Sequence, residues 1–236
     1  MTDFSRYALY YMPDPGPLAD FGAAWLGWDA QAGRVTPHPD IAGLPRPLDQ
    51  ITATPRKYGF HGTIKPPFRL ADGHSVAALR SAARALCATR PPVRMAGLRL
   101  HRLGAFLALT PEGDAGPLAD LAGTMVRGLD NFRAAAPEAE LARRRKAGLS
   151  PRQEALLRDW GYPYVLEEFR FHLTLTGRLA PDEAEQTAQA LAPHLAAIDM
   201  APFNITSLCL AGEDTDGRFH LIERLPLLAA PDPHLT

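Results

Sequence analysis

Two short segments of the chain are near-copies of each other, and they carry the residue types best suited to chemistry. They are Phe60-His61-Gly62-Thr63-Ile64 and Phe171-His172-Leu173-Thr174-Leu175. Residues two apart in a β-strand point to the same side. Each segment is therefore predicted to place its His and Thr on one face and its apolar residues on the other. One imidazole that accepts a proton and a second that donates one can perform acid–base catalysis near neutral pH.

Basic residues flank both segments. If the strand alternation continues, the first polar face is predicted to run from residue 57 to residue 65 and the second from residue 170 to residue 178. The candidates for binding a phosphate or its substrate are Lys57, Tyr58, Lys65, Arg170, Thr176 and Arg178. Cationic side chains attract an anion, and a threonine hydroxyl can donate to a phosphoryl oxygen as negative charge builds in the transition state. The two faces together predict an anion site.

A phosphodiester held between the two histidines is cleaved without a metal. The neutral histidine takes a proton from the attacking water, and the protonated one gives a proton to the leaving oxygen. The sequence contains no H-x-H or H-E-x-x-H pattern of the kind that binds zinc. We therefore expect neither a metal nor a cofactor, and the residues leave open which histidine is the base.

Composition limits the partners of such a site. The chain has 236 residues, of which 46% are hydrophobic and 22% charged, and its net charge is −1. This balance is typical of a globular protein and gives no global electrostatic reason to bind nucleic acid or an anionic membrane. Cys87 and Cys209 lie in apolar stretches and are predicted to be buried free thiols. With no apolar run of signal-peptide or membrane-spanning length, we expect a cytoplasmic protein without a membrane partner.

The elements that position the two motifs form a repeat. Each motif is followed by a predicted helix, at 75–87 and 181–195, and then by two predicted strands, at 93–100 and 105–110 or at 203–210 and 219–225. This order predicts an α+β fold in one bilobal domain over residues 1–236. One lobe carries the motif at 57–65 and the other the motif at 169–178. Two mainly antiparallel sheets are expected to face a central cleft, with helices outside.

Residues 134–164 have no counterpart in the repeat and are predicted to form a helical insertion between the lobes. Ser150-Pro151-Arg152-Gln153 is a helix start, because it offers an N-cap, a proline in the first turn and a capping-box partner. The helix should end near Gly161. The basic run at 143–146 is interpreted as a solvated helical face.

Both motifs, within the longer segments 56–68 and 162–179, resemble those of the 2H phosphoesterases. They are most similar to an uncharacterised bacterial branch named for its occurrence in phosphonate-utilisation operons. The resemblance implies a duplicated bilobal fold, His61 and His172 as the acid–base pair with Thr63 and Thr174 beside them, and no metal. It also implies hydrolysis of a small cyclic phosphodiester of a ribose phosphate or nucleotide-like compound.

Two other functions stay open at this point. The first is an RNA-end 2′,3′-cyclic phosphodiesterase or 2′–5′ ligase-like enzyme, which the basic run at 143–146 and the aromatic Tyr162 and Tyr164 would support by phosphate contact and base stacking. The near-neutral net charge argues against it. The second is a non-catalytic protein that binds a nucleotide or sugar phosphate, although binding alone does not require two acid–base groups.

Overall fold

The computed structural model describes residues 4–229. The strands are β1 (Arg6–Tyr11), β2 (Trp28–Asp29), β3 (Arg34–Val35), β4 (Gly62–Phe68), β5 (Val93–Met95), β6 (Gly97–Leu103), β7 (Phe106–Glu112), β8 (Leu173–Thr174), β9 (Phe203–Ile205), β10 (Ser207–Glu213) and β11 (Phe219–Pro226). The α-helices are α1 (Pro17–Leu26), α2 (Leu48–Ile51), α3 (Ala53–Arg56), α4 (Val76–Ala88), α5 (Gly116–Gly128), α6 (Glu138–Arg145), α7 (Pro151–Trp160) and α8 (Pro181–Ala196). Short 3₁₀ helices cover Asp130–Phe132 and Leu166–Glu168.

An antiparallel sheet organises the molecule, as the α+β prediction requires. Seven strands follow the order β11-β10-β1-β4-β8-β7-β6, and the pairs β2–β3 and β5–β9 lie apart from it. One expectation is corrected: the two motif strands are not in separate sheets across a cleft. They are neighbours in one sheet, where Gly62 of β4 lies opposite Leu173 of β8. The physical reason is Gly62 itself, which has no side chain to hold the strands apart and lets the Phe171 ring pack against its backbone.

The two repeats exchange their hairpins. The hairpin β6–β7 follows β4 in sequence but joins the sheet beside β8, while β10–β11 follows β8 and joins through β1 on the β4 side. The segments that lead into the hairpins cross and pair with each other as β5 and β9. Each half of the sheet is therefore completed by a hairpin from the other repeat.

The main core lies on one face of the sheet. Leu9, Ile64 and Leu173 from the strands pack there with residues of α4, α5 and α8. A smaller cluster on the other side of β1 includes Tyr10 and Phe219. Since successive strand residues point to opposite faces, Tyr10 lies on the face opposite Leu9. The motif histidines lie on this second face, as the site geometry below establishes.

Residues 134–164, which were predicted to be a helical insertion, contain α6 and α7, and the predicted helix start is confirmed. The Ser150 hydroxyl accepts from the Gln153 backbone N–H, and the Gln153 side chain accepts from the Ser150 N–H. α7 ends at Trp160 and is capped by Gly161, whose φ of 73° is a left-handed conformation that glycine adopts without strain. In the basic run, Arg145 pairs with Glu138 and Glu154 at the surface.

Both cysteines are buried and free, as expected. No helix within residues 4–229 has the combined length and apolar character needed to cross a membrane.

A methyl group at Gly62 should destabilise the protein. An added Cβ would lie 2.3 Å from Phe171 Cζ and 2.4 Å from its Cε2, and this ring is only 7% exposed. Gly62→Ala is expected to lower the free energy of unfolding by about 1–3 kcal/mol, the usual cost of overpacking a core, as measured by urea denaturation. In Gly116→Ala the added methyl meets only the Asp114 carboxylate, at 3.1 Å, so this control should change little. Equal stabilities of the two variants would contradict the close strand approach.

Candidate active site

The register of β4 and β8 brings each histidine opposite the threonine of the other motif. Gly62 pairs with Leu173 in an antiparallel ladder. One step along the ladder in each direction places His61 opposite Thr174 and Thr63 opposite His172. In such a ladder the Cα atoms of diagonally related residues lie about 7–8 Å apart. His61 and His172 are related in this way. The four residues therefore form one compact cluster on one face of the sheet.

Both imidazoles are held in the same way. His61 Nδ1 lies 2.9 Å from the Gly59 carbonyl oxygen, and His172 Nδ1 lies 2.7 Å from the Arg170 carbonyl oxygen. A carbonyl only accepts hydrogen bonds, so in each ring Nδ1 carries the proton and donates it. In the neutral rings Nε2 is then the basic nitrogen. His61 Nε2 lies 3.2 Å from Thr63 Oγ1, which donates to it.

Aromatic rings surround His61 more closely than His172. The imidazole of half-buried His61 is 3.9 Å from the Tyr10 ring and 5.9 Å from the Tyr58 ring, centroid to centroid. Phe106 is the ring beside His172, at 5.7 Å. Burial, with a smaller contribution from the nearby His172, lowers the pKa of His61 to about 4. His61 is therefore neutral at pH 7.

Two cavities open on either side of the four residues, and each contains one cross-strand pair. The His61 cavity, of about 250 Å³, contains His61 and Thr174, and its remaining lining is Thr54, Pro55, Tyr58, Gly59, Phe106, Thr176, Gly177 and Arg178. The His172 cavity, of about 420 Å³, contains His172 and Thr63, and its remaining lining is Ile64, Pro66, Leu103, Gly104, Phe106, Tyr162, Tyr164, Val165, Glu168, Phe169 and Arg170. Phe106 lies between the two. A group bound at the histidines has room on both sides.

Lys65 does not share the face of His61 and Thr63. The pairing of β1 with β4 shifts by one residue between Thr63, which faces Tyr10, and Lys65, which faces Leu9. This β-bulge at Ile64 reverses the alternation that predicted Lys65 at the site. The Lys65 ammonium is buried, donates to the Val126 carbonyl at 2.9 Å and lies 3.5 Å from Asp130. Burial lowers its pKa to about 8.

Two further expectations about the extended polar faces are corrected. Lys57 precedes the strand because Gly59, with φ of 71°, turns the chain before β4 begins. Its exposed ammonium lies over the Tyr58 ring, 4.9 Å from the centroid. Thr176 lies beyond β8 and is buried; its hydroxyl accepts from the Leu107 N–H and donates to the Gly177 carbonyl. This side chain holds the backbone of the site together.

Four of the six predicted binding residues do lie at the cavities, and Thr176, whose hydroxyl is used by the backbone, is one of them. Tyr58 and the exposed Arg178 line the His61 cavity, and the exposed Arg170 lines the His172 cavity. The sequence argument did not select Phe106 or Glu168, which also line them. Glu168 accepts from the Gln153 side-chain amide at 3.0 Å. Phe106 comes from a distant segment through the exchange of hairpins, whereas Glu168 lies just before the second motif, at the end of the 3₁₀ helix Leu166–Glu168.

Within the described part of the chain, no three His, Cys, Asp or Glu side chains are grouped so that they would hold a metal ion. Among the other histidines, His101 contacts Thr110 on the exposed surface of β6, and His220 pairs with Asp214 at 2.6 Å. Neither lines the His61 or the His172 cavity.

The Tyr10 ring should keep His61 neutral. Tyr10 is fully buried, and its hydroxyl has no hydrogen-bond partner among residues 4–229. Tyr10→Leu removes a ring that excludes water from the imidazole, so the pKa of His61 should rise toward the ordinary value of about 6.5. Tyr10→Phe keeps the ring and should leave the pKa low. NMR titration of the histidine ring protons measures both, and an unshifted His61 in Tyr10→Leu would contradict this role.

His61 should also make stability depend on pH. Its pKa is about 4 in the folded protein and about 6.5 when unfolded. As pH falls, the unfolded chain binds this proton first, so the stability is full above about pH 6.5 and is lost between there and pH 4. Unfolding free energies at pH 7 and pH 4.5 should therefore differ more for the wild type than for His61→Gln. Equal differences in the two proteins would refute the lowered pKa.

Known proteins similar to this chain include two curated relatives and several solved structures. The chain is 41% identical over 219 residues to "Ribose 1,5-bisphosphate phosphokinase PhnN" of Janthinobacterium sp. (strain Marseille), a match that covers 90% of this chain and 48% of that protein. It thus spans about half the length of that curated relative.

The solved structures are more distant. A phosphoesterase is 15% identical with a TM-score of 0.44, covering 95% of this chain and 99% of that chain. E. coli LigT complexed with phosphate is 14% identical with a TM-score of 0.42, covering 97% and 100%. The model of the family described as "Protein of unknown function (DUF1045)" matches residues 63–220, and the chain belongs to that family.

Proposed function

We propose that this protein is a phosphodiesterase that hydrolyses a cyclic phosphodiester of a small ribose phosphate or nucleotide-like compound. The observation that carries the proposal is the crossed pairing of two His–Thr sets on neighbouring strands. In both sets a backbone carbonyl binds Nδ1. This arrangement directs the chemistry to the two Nε2 atoms, one on each side of a bound phosphoryl group.

The environment of His61 supports a division of roles between the two histidines. His61 is the general base, because burial keeps it neutral and its Nε2 already accepts a hydrogen bond. It takes a proton from a water molecule whose oxygen forms a bond to phosphorus. The bond from phosphorus to the ring ester oxygen breaks, and protonated His172 donates its Nε2 proton to that oxygen. The product is a phosphomonoester next to a free hydroxyl.

Thr63 and Thr174 stabilise the charge that builds on the non-bridging oxygens. Their hydroxyls lie on the same face as the histidines and line the same two cavities. Hydrogen bonds to a charged oxygen strengthen as its charge grows, which lowers the barrier. Both proton transfers are assigned to side chains, so the proposed reaction proceeds without a metal.

The relative supports a ribose phosphate as the substrate class. Its name describes a phosphokinase of ribose 1,5-bisphosphate, but this chain corresponds to about half of that protein and contains no G-x-x-x-x-G-K-[ST] phosphate-binding loop. Opening a cyclic phosphate of ribose 5-phosphate yields a ribose bisphosphate, the kind of product that such a kinase consumes. We therefore favour this substrate over RNA ends. We also propose that the protein acts in phosphonate metabolism in the cytoplasm.

Hydrolysis assays with EDTA present test the proposal. The substrates are a 1,2-cyclic phosphate of ribose 5-phosphate, 2′,3′-cyclic nucleotides, 2′–5′ dinucleotides and an RNA with a 2′,3′-cyclic end, followed by ³¹P NMR. We expect the cyclic ribose phosphate to be opened fastest. Faster turnover of RNA would favour the RNA-end enzyme, and binding without any turnover would favour the non-catalytic alternative. Activity that EDTA abolishes and a divalent metal restores would contradict the two-histidine mechanism.

A further inference from the structure

The His61 cavity is lined by residues with hydrogen-bond donors that no group within residues 4–229 uses. Thr54, Tyr58 and Arg178, each with a hydroxyl or a guanidinium, are among the residues that line it. Among residues 4–229, none of these three polar groups has a hydrogen-bond acceptor. Besides the titratable His61, Arg178 is the residue of this lining that carries a charge. No carboxylate from residues 4–229 lines the cavity. The lining surface is largely apolar, but its unpartnered donors and the lack of a described carboxylate favour an anion over a cation at the polar end of the cavity.

The attacking water does not account for the size of this cavity. A water molecule occupies about 30 Å³ of liquid, whereas the cavity measures about 250 Å³. The cavity extends from His61 at the reacting centre to Arg178 at its rim. It therefore has room for a substrate group beyond the phosphoryl that reacts.

The His172 cavity has a different chemistry. Glu168 lines it together with Arg170, so its charges include an acid that repels a phosphate dianion. Tyr162, Tyr164 and Phe169 supply aromatic surface, which suits the carbon skeleton of a sugar or a base. The two cavities thus differ in chemistry, although their histidines occupy corresponding positions in the two repeats.

We infer that the His61 cavity is a subsite for a second phosphate of the substrate, a phosphomonoester separate from the cyclic phosphodiester that reacts. Arg178 is its charged anchor, and the Thr54 and Tyr58 hydroxyls donate to its oxygens. This inference rests on the proposed function and deepens it, because it makes the terminal phosphate of a ribose phosphate the group that selects the substrate.

A pair of substrates tests this subsite. Ribose 5-phosphate 1,2-cyclic phosphate and ribose 1,2-cyclic phosphate differ only in the terminal phosphate, and the wild type should favour the first. Arg178→Gln should reduce the ratio of their kcat/KM values by about 10- to 100-fold, the usual effect of a hydrogen bond to a charged group. The exposed Arg178 side chain has no described partner to lose, so this variant should fold. Thr54→Val should reduce the ratio in the same direction by a smaller factor.

Arg170→Gln is the matched control, because it removes the cation of the other cavity. It should lower kcat/KM for both substrates to the same degree and leave their ratio as it is in the wild type. A wild type without preference, or an Arg178→Gln variant with an unchanged ratio, would overturn the subsite while hydrolysis itself stands.

A binding measurement separates this inference from the proposed function. Calorimetry with ribose 5-phosphate, which has no bond to hydrolyse, should give a Kd that Arg178→Gln weakens at least 10-fold and Arg170→Gln weakens less. If neither cyclic phosphate is hydrolysed but this pattern is found, the proposed function fails and the phosphate subsite stands. Equal weakening by both variants, or no binding to the wild type, would refute the subsite.

Discussion

Replacing either His61 or His172 with alanine should lower kcat for opening a cyclic ribose phosphate by about 10²–10⁴-fold, because each variant loses one proton transfer. The two imidazoles act in the same step, so the double variant should be little slower than the slower single variant. Initial rates at saturating substrate, followed by ³¹P NMR, measure the effect. The fold should persist, since both side chains lie at the surface of a cavity and not in the main core.

His101→Ala is the matched control for these variants. His101 is exposed on β6, contacts Thr110 and lies outside both cavities of the site, so its removal should leave kcat at the wild-type value. Full activity of the His61→Ala, His172→Ala double variant would be incompatible with the proposed mechanism. So would single variants whose loss of activity is fully explained by thermal unfolding midpoints below the assay temperature, which thermal denaturation measures.

Removing either threonine hydroxyl should have the next largest effect. Thr63→Val and Thr174→Val keep the shape of the side chain but lose the donor that faces the reacting group. Each should raise the barrier by about 1.5–3 kcal/mol, the value of one hydrogen bond to a charged oxygen. That corresponds to a 10- to 150-fold loss in kcat, with a smaller change in KM, because the interaction strengthens in the transition state.

Thr176→Val distinguishes a catalytic hydroxyl from a structural one. The Thr176 hydroxyl bonds to the backbone of Leu107 and Gly177. Its loss leaves a buried N–H without an acceptor, so the free energy of unfolding should fall by about 1–3 kcal/mol with less effect on kcat. If Thr63→Val and Thr174→Val behaved like Thr176→Val, their assignment to the transition state would be wrong.

The parts of the fold that depend on local pattern were predictable from the sequence. Helix α7 begins at a capping box and ends at a left-handed glycine, and both signals are readable within a few residues of Ser150 and Gly161. The His–Thr alternation likewise needs only two residues of extended chain. For this reason the four motif residues were placed correctly on one face, and their flanks were placed less well.

The prediction for the residues that flank the motifs was wrong at positions where a single residue interrupts the strand alternation. A bulge at Ile64 turns Lys65 to the core face, and Gly59 turns the chain before Lys57. Neither feature has a sequence signal strong enough to predict it, since each depends on how β4 pairs with β1. The exchange of hairpins between the repeats is also a matter of long-range pairing. It brings Phe106 between the two cavities, a position that no local pattern indicates.

The most direct test of the central claim is the position of a transition-state analogue. A crystal structure with bound orthovanadate should place vanadium between His61 and His172, with an apical oxygen about 2.6–3.2 Å from each Nε2. The Thr63 and Thr174 hydroxyls should donate to its equatorial oxygens. Vanadate bound away from this pair, or in contact with one histidine while the other is turned from it, would contradict the proposal that the two motifs act on one phosphoryl group.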